Sequence, residues 1–363
     1  MISIESLLIS ASLDNLVFDS NIGIKGGHNG PYLDPETPVR VTAHWLVVFC
    51  CLYKRLGKVE YLNAAKSAID YLTSSEARPM EAAFYCRINP KKDLCNGLMG
   101  QAWVIEALLY AYDVLKDQEL YDLAESTFLA HEFDETRGLW RRLSVDGTIM
   151  DFDETFNHQL WFCAVGSKLK SSEKALNNCD RFFKVNASKP ELYSDGVIFH
   201  DSNVFRFGLE RRHGVRPVIH YVLNKIGAIR NKKALYSKSV GYHGFNMYAY
   251  ELMRDRYGAN EFYKSKTYKK MVGVVNSKDF IEALEASQYG YPYNPPGFEL
   301  GYVMLQNGYT EKEVVAFLEL HFSKTAGEKG VNSARSKDIE TSQARLYELV
   351  RLLDIADLQL TIK

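Results

Sequence analysis

Apolar residues recur every three to four positions through most of the chain, the period of helices that lay one face against a core. The repeating unit is a helix, a tight turn and a second helix. The spacing predicts hairpins of 38–55 with 59–73 around Leu56-Gly57-Lys58, and of 97–115 with 118–131 around Lys116-Asp117. Three more follow: 155–168 with 171–184 around Lys170, 242–257 with 260–275 around Gly258-Ala259, and 297–306 with 310–323 around Asn307-Gly308-Tyr309. A last helix is predicted at 341–357, with a helix near 4–18 as its partner.

Aligning the first helix of each unit puts Trp45, Trp103, Trp161, Tyr248, Tyr302 and Tyr347 in one column. The turns inside hairpins are short, as antiparallel helices need. The connections between hairpins are long: 19–37, 74–96, 132–154, 185–241, 276–296 and 324–340. If the hairpins close into a ring, every long connection falls on one face. That face is also where the inner helices begin, with unpaired N–H groups and positive dipole ends. Long loops on a rigid scaffold are where function concentrates. The predicted fold is all-α: an (α/α)6 barrel, one domain over 1–363, with an elaborated basic region at 185–241.

Composition removes several alternatives. Hydrophobic residues are 46% and charged residues 25%, enough apolar surface for a large core. The 24 glycines and 10 prolines are few for a loop-rich or all-β chain. A net charge of −1 offers no global field for nucleic acid, and no nucleic-acid module is present. The longest apolar run, Trp45–Tyr53, is nine residues, against the roughly 20 a membrane span needs. The N-terminus lacks a basic segment and carries Glu5 and Asp14, so a signal peptide is not expected. Cysteines 50, 51, 86, 95, 163 and 179 form no CxxC pair; buried reduced thiols and a cytoplasmic location are the expectation. HExxH, an Asp-rich calcium loop and GxSxG are absent, so no metal, cofactor or serine nucleophile is expected.

Residues 96–125 (NGLMGQAWVIEALLYAYDVLKDQELYDLAE) and 152–169 (FDETFNHQLWFCAVGSKL), with the hairpin count and loop asymmetry, carry a family resemblance. The chain resembles the six-hairpin glycosidase superfamily, in particular the unsaturated glucuronyl and rhamnogalacturonyl hydrolases, and more loosely the N-acylglucosamine 2-epimerases. The resemblance implies a carbohydrate-active protein with an acidic general acid/base at a helix entrance.

The densest polar cluster is Asp151, Asp153, Glu154, Asn157, His158 and Gln159, at the predicted opening of the third inner helix. Paired carboxylates there can divide acid and base work; equally, Asp151 or Asp153 can be a helix cap and Glu154 a first-turn acid. Asn157 and His158 suit proton abstraction, with Tyr242, His243 and Asn246 at the fourth inner helix completing such a site. Gln101 is placed to reach a sugar hydroxyl, and Glu299 is a further carboxylate. His44 is a binding candidate or a core histidine. The 200–240 segment carries nine Lys or Arg against Asp201 and Glu210, and Arg211 and Arg212 offer forks for a carboxylate. Tyr289, Tyr291 and Tyr293 either stack on sugar faces or pack their own loop. The loop Gly26-Gly27-His28-Asn29-Gly30 reads as a rim or lid.

Three functions follow. The first is hydrolysis of an acidic oligosaccharide with Asp153 as acid/base, assisted by Asp151 or Glu154. The second is a lyase or sugar epimerase with His158, Tyr242 or His243 as base. The third is a non-catalytic glycan-binding or surface-polysaccharide assembly factor.

Overall fold

The computed structural model describes residues 1–200 and 232–362. The chain starts with β1 (Ile2–Ser3) and α1 (Ile4–Ser12), followed by the hairpins α2 (Val39–Leu56) with α3 (Val59–Thr73) and α4 (Gly97–Leu115) with α5 (Gln118–Leu129). Three strands come next, β2 (Phe133–Asp134), β3 (Leu139–Leu143) and β4 (Ile149–Phe152), then α6 (Phe156–Gly166) and α7 (Glu173–Phe182). Beyond the undescribed segment lie α8 (Lys232–Leu252) and the short helices α9 (Arg254–Tyr257), α10 (Glu261–Lys264), α11 (Lys266–Gly273) and α12 (Lys278–Ala286). The chain finishes with α13 (Pro296–Gln306), α14 (Glu311–Thr325), α15 (Ile339–Ala344), a 3₁₀ turn at Arg345–Glu348, α16 (Leu349–Leu353) and β5 (Gln359–Leu360).

Neighbour contacts run α2 to α4 to α6 to α8 to α13 to α16, and α15 with the 3₁₀ turn return to α2. The inner ring is therefore closed. The outer helices α3, α5, α7 and α14 each pack on the inner helix they follow, and α1 packs on α2 and α16. This is the (α/α)6 barrel. The sequence accounts for the two layers. In α2 every residue from Val39 to Leu52 is buried, as expected of a helix with neighbours all round. In α3 only Tyr61, Ala64, Ala65, Ala68, Tyr71 and Leu72 are buried, a single stripe at helical spacing. Gly57, at φ 65°, reverses the chain between them in the left-handed conformation that glycine adopts without strain.

The structure departs from the sequence reading in several places; the helix predicted at 260–275 is split into α10 and α11, α12 lies in the 276–296 connection, and α1 ends at Ser12. The 132–154 connection holds a three-stranded antiparallel sheet, with Phe133 opposite Trp140 and Arg141 opposite Phe152. The fourth inner helix begins by Lys232, not at 242, because the polar KKALYS stretch adds turns before the buried part starts at Ser239. The last helix is broken by the 3₁₀ turn. In the aromatic column, α2 is one residue out of register. His44, not Trp45, stacks on Tyr347 at 4.1 Å and meets Trp103 edge-on at 5.6 Å. These rings, with Trp161 stacked on Tyr248 at 5.7 Å, close the barrel axis. The N-terminal helix does reach the last one, and Ile2 pairs with Leu360 across β1 and β5.

No described helix is long and apolar enough to cross a membrane. The six cysteines are buried and unpaired.

Candidate active site

A cavity of about 200 Å³ opens where the inner helices begin. Long connections supply Asn29, Tyr32, Arg87, Lys92 and Tyr293, the starts of α2 and α6 supply Arg40, Asn157 and His158, the middle of α8 supplies Tyr242, and the 3₁₀ turn supplies Arg345. The loop asymmetry of the sequence thus marks the face that holds this cavity.

Asp153 stands between β4 and α6 and ties three elements together. Its Oδ1 accepts from the Thr155 N–H at 3.1 Å. Its Oδ2 accepts from the Leu98 N–H at 2.9 Å, in the first turn of α4, and from His158 Nδ1 at 2.8 Å. Burial alone would raise this carboxyl, but the His158 imidazole and the two backbone N–H groups hold it down to about 2. An ionised carboxylate only accepts, so His158 carries its proton on Nδ1 and presents Nε2 to the cavity. Gly97 makes the approach possible. A Cβ there would stand 2.2 Å from Asp153 Oδ2 and 3.0 Å from His158 Nδ1, at a φ of +57°.

Arg40 is the second feature. Its guanidinium lies 3.9 Å over the Trp103 ring, and Nη1 reaches Glu36 Oε2 at 3.3 Å. Nε and Nη2 are buried with no hydrogen-bond partner among the described residues. A buried cation with two open donors calls for an anionic or strongly accepting ligand. Arg345 is held from behind by Glu299 at 2.5 Å and Glu348 at 2.7 Å. Burial holds both of those carboxyls above their usual range, Glu348 at about 7. At the rim, Asp34 holds Arg87 at 3.1 Å and Lys92 at 3.2 Å. Lys238 lies 6.0 Å from the Tyr32 and Tyr242 rings. No Asp or Glu is among the described residues lining the cavity; the compensating carboxylates stand one layer behind the cations.

His200 and Asn157 also face the cavity. Burial, then the charges of Lys238 and His158, push His200 well below the ordinary histidine range, so it is neutral near pH 7. Its Nδ1 and Asn157 Oδ1 are buried without partners among the described residues.

No family model matches the sequence. A curated protein does: archaeal glycosylation protein Q of Haloferax volcanii, 35% identical over 366 residues, covering 98% of this chain and 98% of that one. The chain belongs to the archaeal glycosylation protein Q family. Solved structures show how far the fold of this family extends. D-mannose isomerase matches with a TM-score of 0.62 at 12% identity over 97% of this chain and 96% of that one. Cellobiose 2-epimerase of Bacillus thermoamylovorans matches at 0.61 and 14% identity, over 94% and 95%. The GH76A α-1,6-mannanase of Salegentibacter matches at 0.56 and 13% identity, over 97% and 99%. At 12–14% identity the likeness shows the fold: this chain shares the (α/α)6 barrel with all three.

The sequence-predicted residues divide sharply. His158, Asn157 and Tyr242 line the cavity, and Asp153 stands directly behind His158. Asp151 and Glu154 are exposed and outside it. Asp153 is not a cap of its own helix; it caps α4 across the interface. Gln101 is fully buried and reaches no ligand: its amide binds the N–H and C=O of Phe84 at 2.8 and 3.1 Å and the Cys95 carbonyl at 3.2 Å. Gln159 does the same to Trp140, at 3.1 and 2.8 Å, and to the Asp153 carbonyl at 2.9 Å. His243 cannot be a base. Its Nδ1 accepts from the Ile198 N–H at 3.2 Å and its Nε2 meets the Met271 carbonyl at 3.0 Å. Asn246 is buried outside the cavity. His44 is a core histidine in the aromatic layer, kept neutral by burial and by Arg40 and Arg345. Glu299 serves Arg345. Tyr293 lines the cavity and donates to Asn29 Oδ1 at 2.5 Å, while Tyr291 packs on His321. The glycine-rich loop is clasped by Asp338, whose Oδ2 accepts from the N–H of His28 at 3.0 Å and of Gly30 at 2.8 Å. Arg211 and Arg212 lie outside the described residues.

Arg40, Arg345, Arg87 and His200 were not identified from sequence. Arg40 had a usable signal: a lone charge inside VRVTAHW, an otherwise apolar helical run.

Proposed function

We propose that this protein is a sugar isomerase or epimerase that acts on an acidic sugar by proton transfer at His158. The observation that carries the reading is the His158–Asp153 pair, with Nε2 facing a cavity lined by cations. His158 Nε2, with Nδ1 held by Asp153, takes the proton from the carbon next to the carbonyl of an open-chain sugar. The C–H electron pair moves to form the enediolate, and its charge is met by Arg40 and the Asn157 amide. Ionised Asp153 stabilises the imidazolium that forms. Return of a proton to the same carbon on the opposite face is epimerisation; return to the neighbouring carbon is isomerisation. His200, neutral and facing the same space, is the second proton carrier for the opposite face. The sugar's carboxylate is held by the cations of the wall, Arg345, Arg87 and Lys92 among them.

Hydrolysis has weaker support. It needs two carboxyl groups flanking the bond, one of them protonated at working pH. Asp153 is held ionised behind His158, and the described lining residues include no carboxylate. The name of the Haloferax relative supports a place in glycosylation. The cavity is smaller than the roughly 300–1,000 Å³ typical of drug-sized ligands, which favours one sugar ring over an oligosaccharide.

The test is a turnover screen of hexuronates and neutral hexoses, read by NMR of the anomeric protons. Interconversion of hexuronates, lost in His158→Ala, is the expected result. Cleavage of glycosidic bonds with no interconversion of any monosaccharide would defeat the proposal.

A further inference from the structure

The opposite end of the barrel, where inner helices α4, α6 and α8 finish, holds a second cavity of about 270 Å³. It shares no lining residue with the His158 cavity, and the layer of His44, Trp103 and Tyr347 lies between. Glu106, one turn beyond Trp103 on α4, is its deepest polar group. It is 5% exposed, and neither carboxylate oxygen has a hydrogen-bond partner among the described residues. Arg351 Nη2 forms an ion pair with Oε1 at 3.6 Å, and Arg351 and Tyr347 both act to lower the carboxyl against its burial. Beside it, Lys168 Nζ donates to Asp255 Oδ2 at 2.7 Å.

The wall is balanced in charge. Glu106, Asp113 and Asp255 face Lys168, Lys170 and Arg351. Such a wall attracts neither an anion nor a cation strongly, but it presents acceptors and donors side by side. Between them stand apolar surfaces from Leu109, Val165 and Leu252 and the rings of Tyr110 and Tyr121. Alternating hydroxyl-binding groups and flat apolar faces match the two characters of a sugar ring, its hydroxyl edge and its C–H face. Beyond the Arg351 ion pair, the buried Glu106 carboxylate has acceptor positions open, and a hydroxyl donor in the cavity would fill them.

We propose that this cavity is a binding site for a neutral sugar residue, separate from the His158 cavity. The proposal stands independently of the reaction assigned above.

The experiment is saturation-transfer NMR on the full chain with D-glucose and D-mannose as probes. Three variants accompany the wild type. Ser171→Trp places a ring at the exposed rim, and a melting curve checks that the fold is kept. Glu106→Gln keeps the shape and removes the charge. His158→Ala leaves this end untouched. The expected result is a hexose signal in the wild type and His158→Ala alike, with affinity reduced roughly tenfold or more in Ser171→Trp and Glu106→Gln. No transfer to either hexose would overturn the proposal. So would binding that His158→Ala abolishes, or binding that Ser171→Trp leaves intact.

Discussion

Inner helices α4 and α6 open in the same way and do different things. Gln101 and Gln159 sit two residues before the column tryptophans Trp103 and Trp161. Each glutamine grips both polar groups of one upstream aromatic residue, and each donates its other N–H to the carbonyl six residues back. The amide is the right shape: one acceptor and two donors, matched to a peptide group that would otherwise be buried unpaired. The two helices part at the residue just before the glutamine. In α4 it is Gly100, where a Cβ would meet the Cys95 carbonyl at 2.2 Å. In α6 it is His158, turned to the cavity and fixed by Asp153. The clamp belongs to the scaffold, and the chemistry is added to one copy of it.

The comparison predicts what each position controls. His158→Ala should lower turnover on the order of 10²–10⁴-fold while the melting temperature stays near wild type. Equal losses of activity and stability would place His158 with the glutamines instead. Gly97→Ala should come next. Its Cβ displaces the Asp153 carboxylate, so activity should fall at least tenfold with helix content retained in circular dichroism.

Gln159→Leu and Gln101→Leu should each leave a buried N–H and at least one C=O unpaired, at about 1–3 kcal/mol per orphaned group. Chemical denaturation should show both losses, of similar size. A stable Gln101→Leu that fails to bind sugar would reverse the assignment of that residue. The smallest effect is in pH. The Asp153 carboxyl sits near 2 in the folded chain, below the usual value near 3.9 of an unfolded one. Its contribution is therefore full above pH 4 and is lost as pH falls from about 4 toward 2. The size is roughly 2 kcal/mol, and Asp153→Asn should flatten that part of the acid denaturation curve.

Much of the scaffold was legible because it is local. Residues 59–73 and 97–115 are helices with the bounds the spacing predicts: a left-handed turn at Gly57 ends the helix before 59–73, and one at Lys116 ends 97–115 itself. The sheet at 133–152 was not, because its strands are two to five residues long and sit inside one connection. The polar cluster at 151–159 was found, but the role of each member was not. Whether Asp153 caps α6 or reaches α4 depends on packing between two helices, which no local pattern records. GQAW and HQLW looked like sugar contacts because glutamine is polar; the backbone it satisfies lies 17 and 19 residues away. Arg40 was legible as a lone charge in an apolar run, but its two open donors depend on packing with Trp103 and Glu36.

The most direct test of the account is solvent exchange at carbon. The protein is incubated with a hexuronate in D₂O, and deuterium at the carbon beside the carbonyl is followed by NMR. The account predicts wash-in by the wild type, none with His158→Ala, and reduced wash-in with Asp153→Asn. Exchange that persists at the wild-type rate in His158→Ala would contradict it.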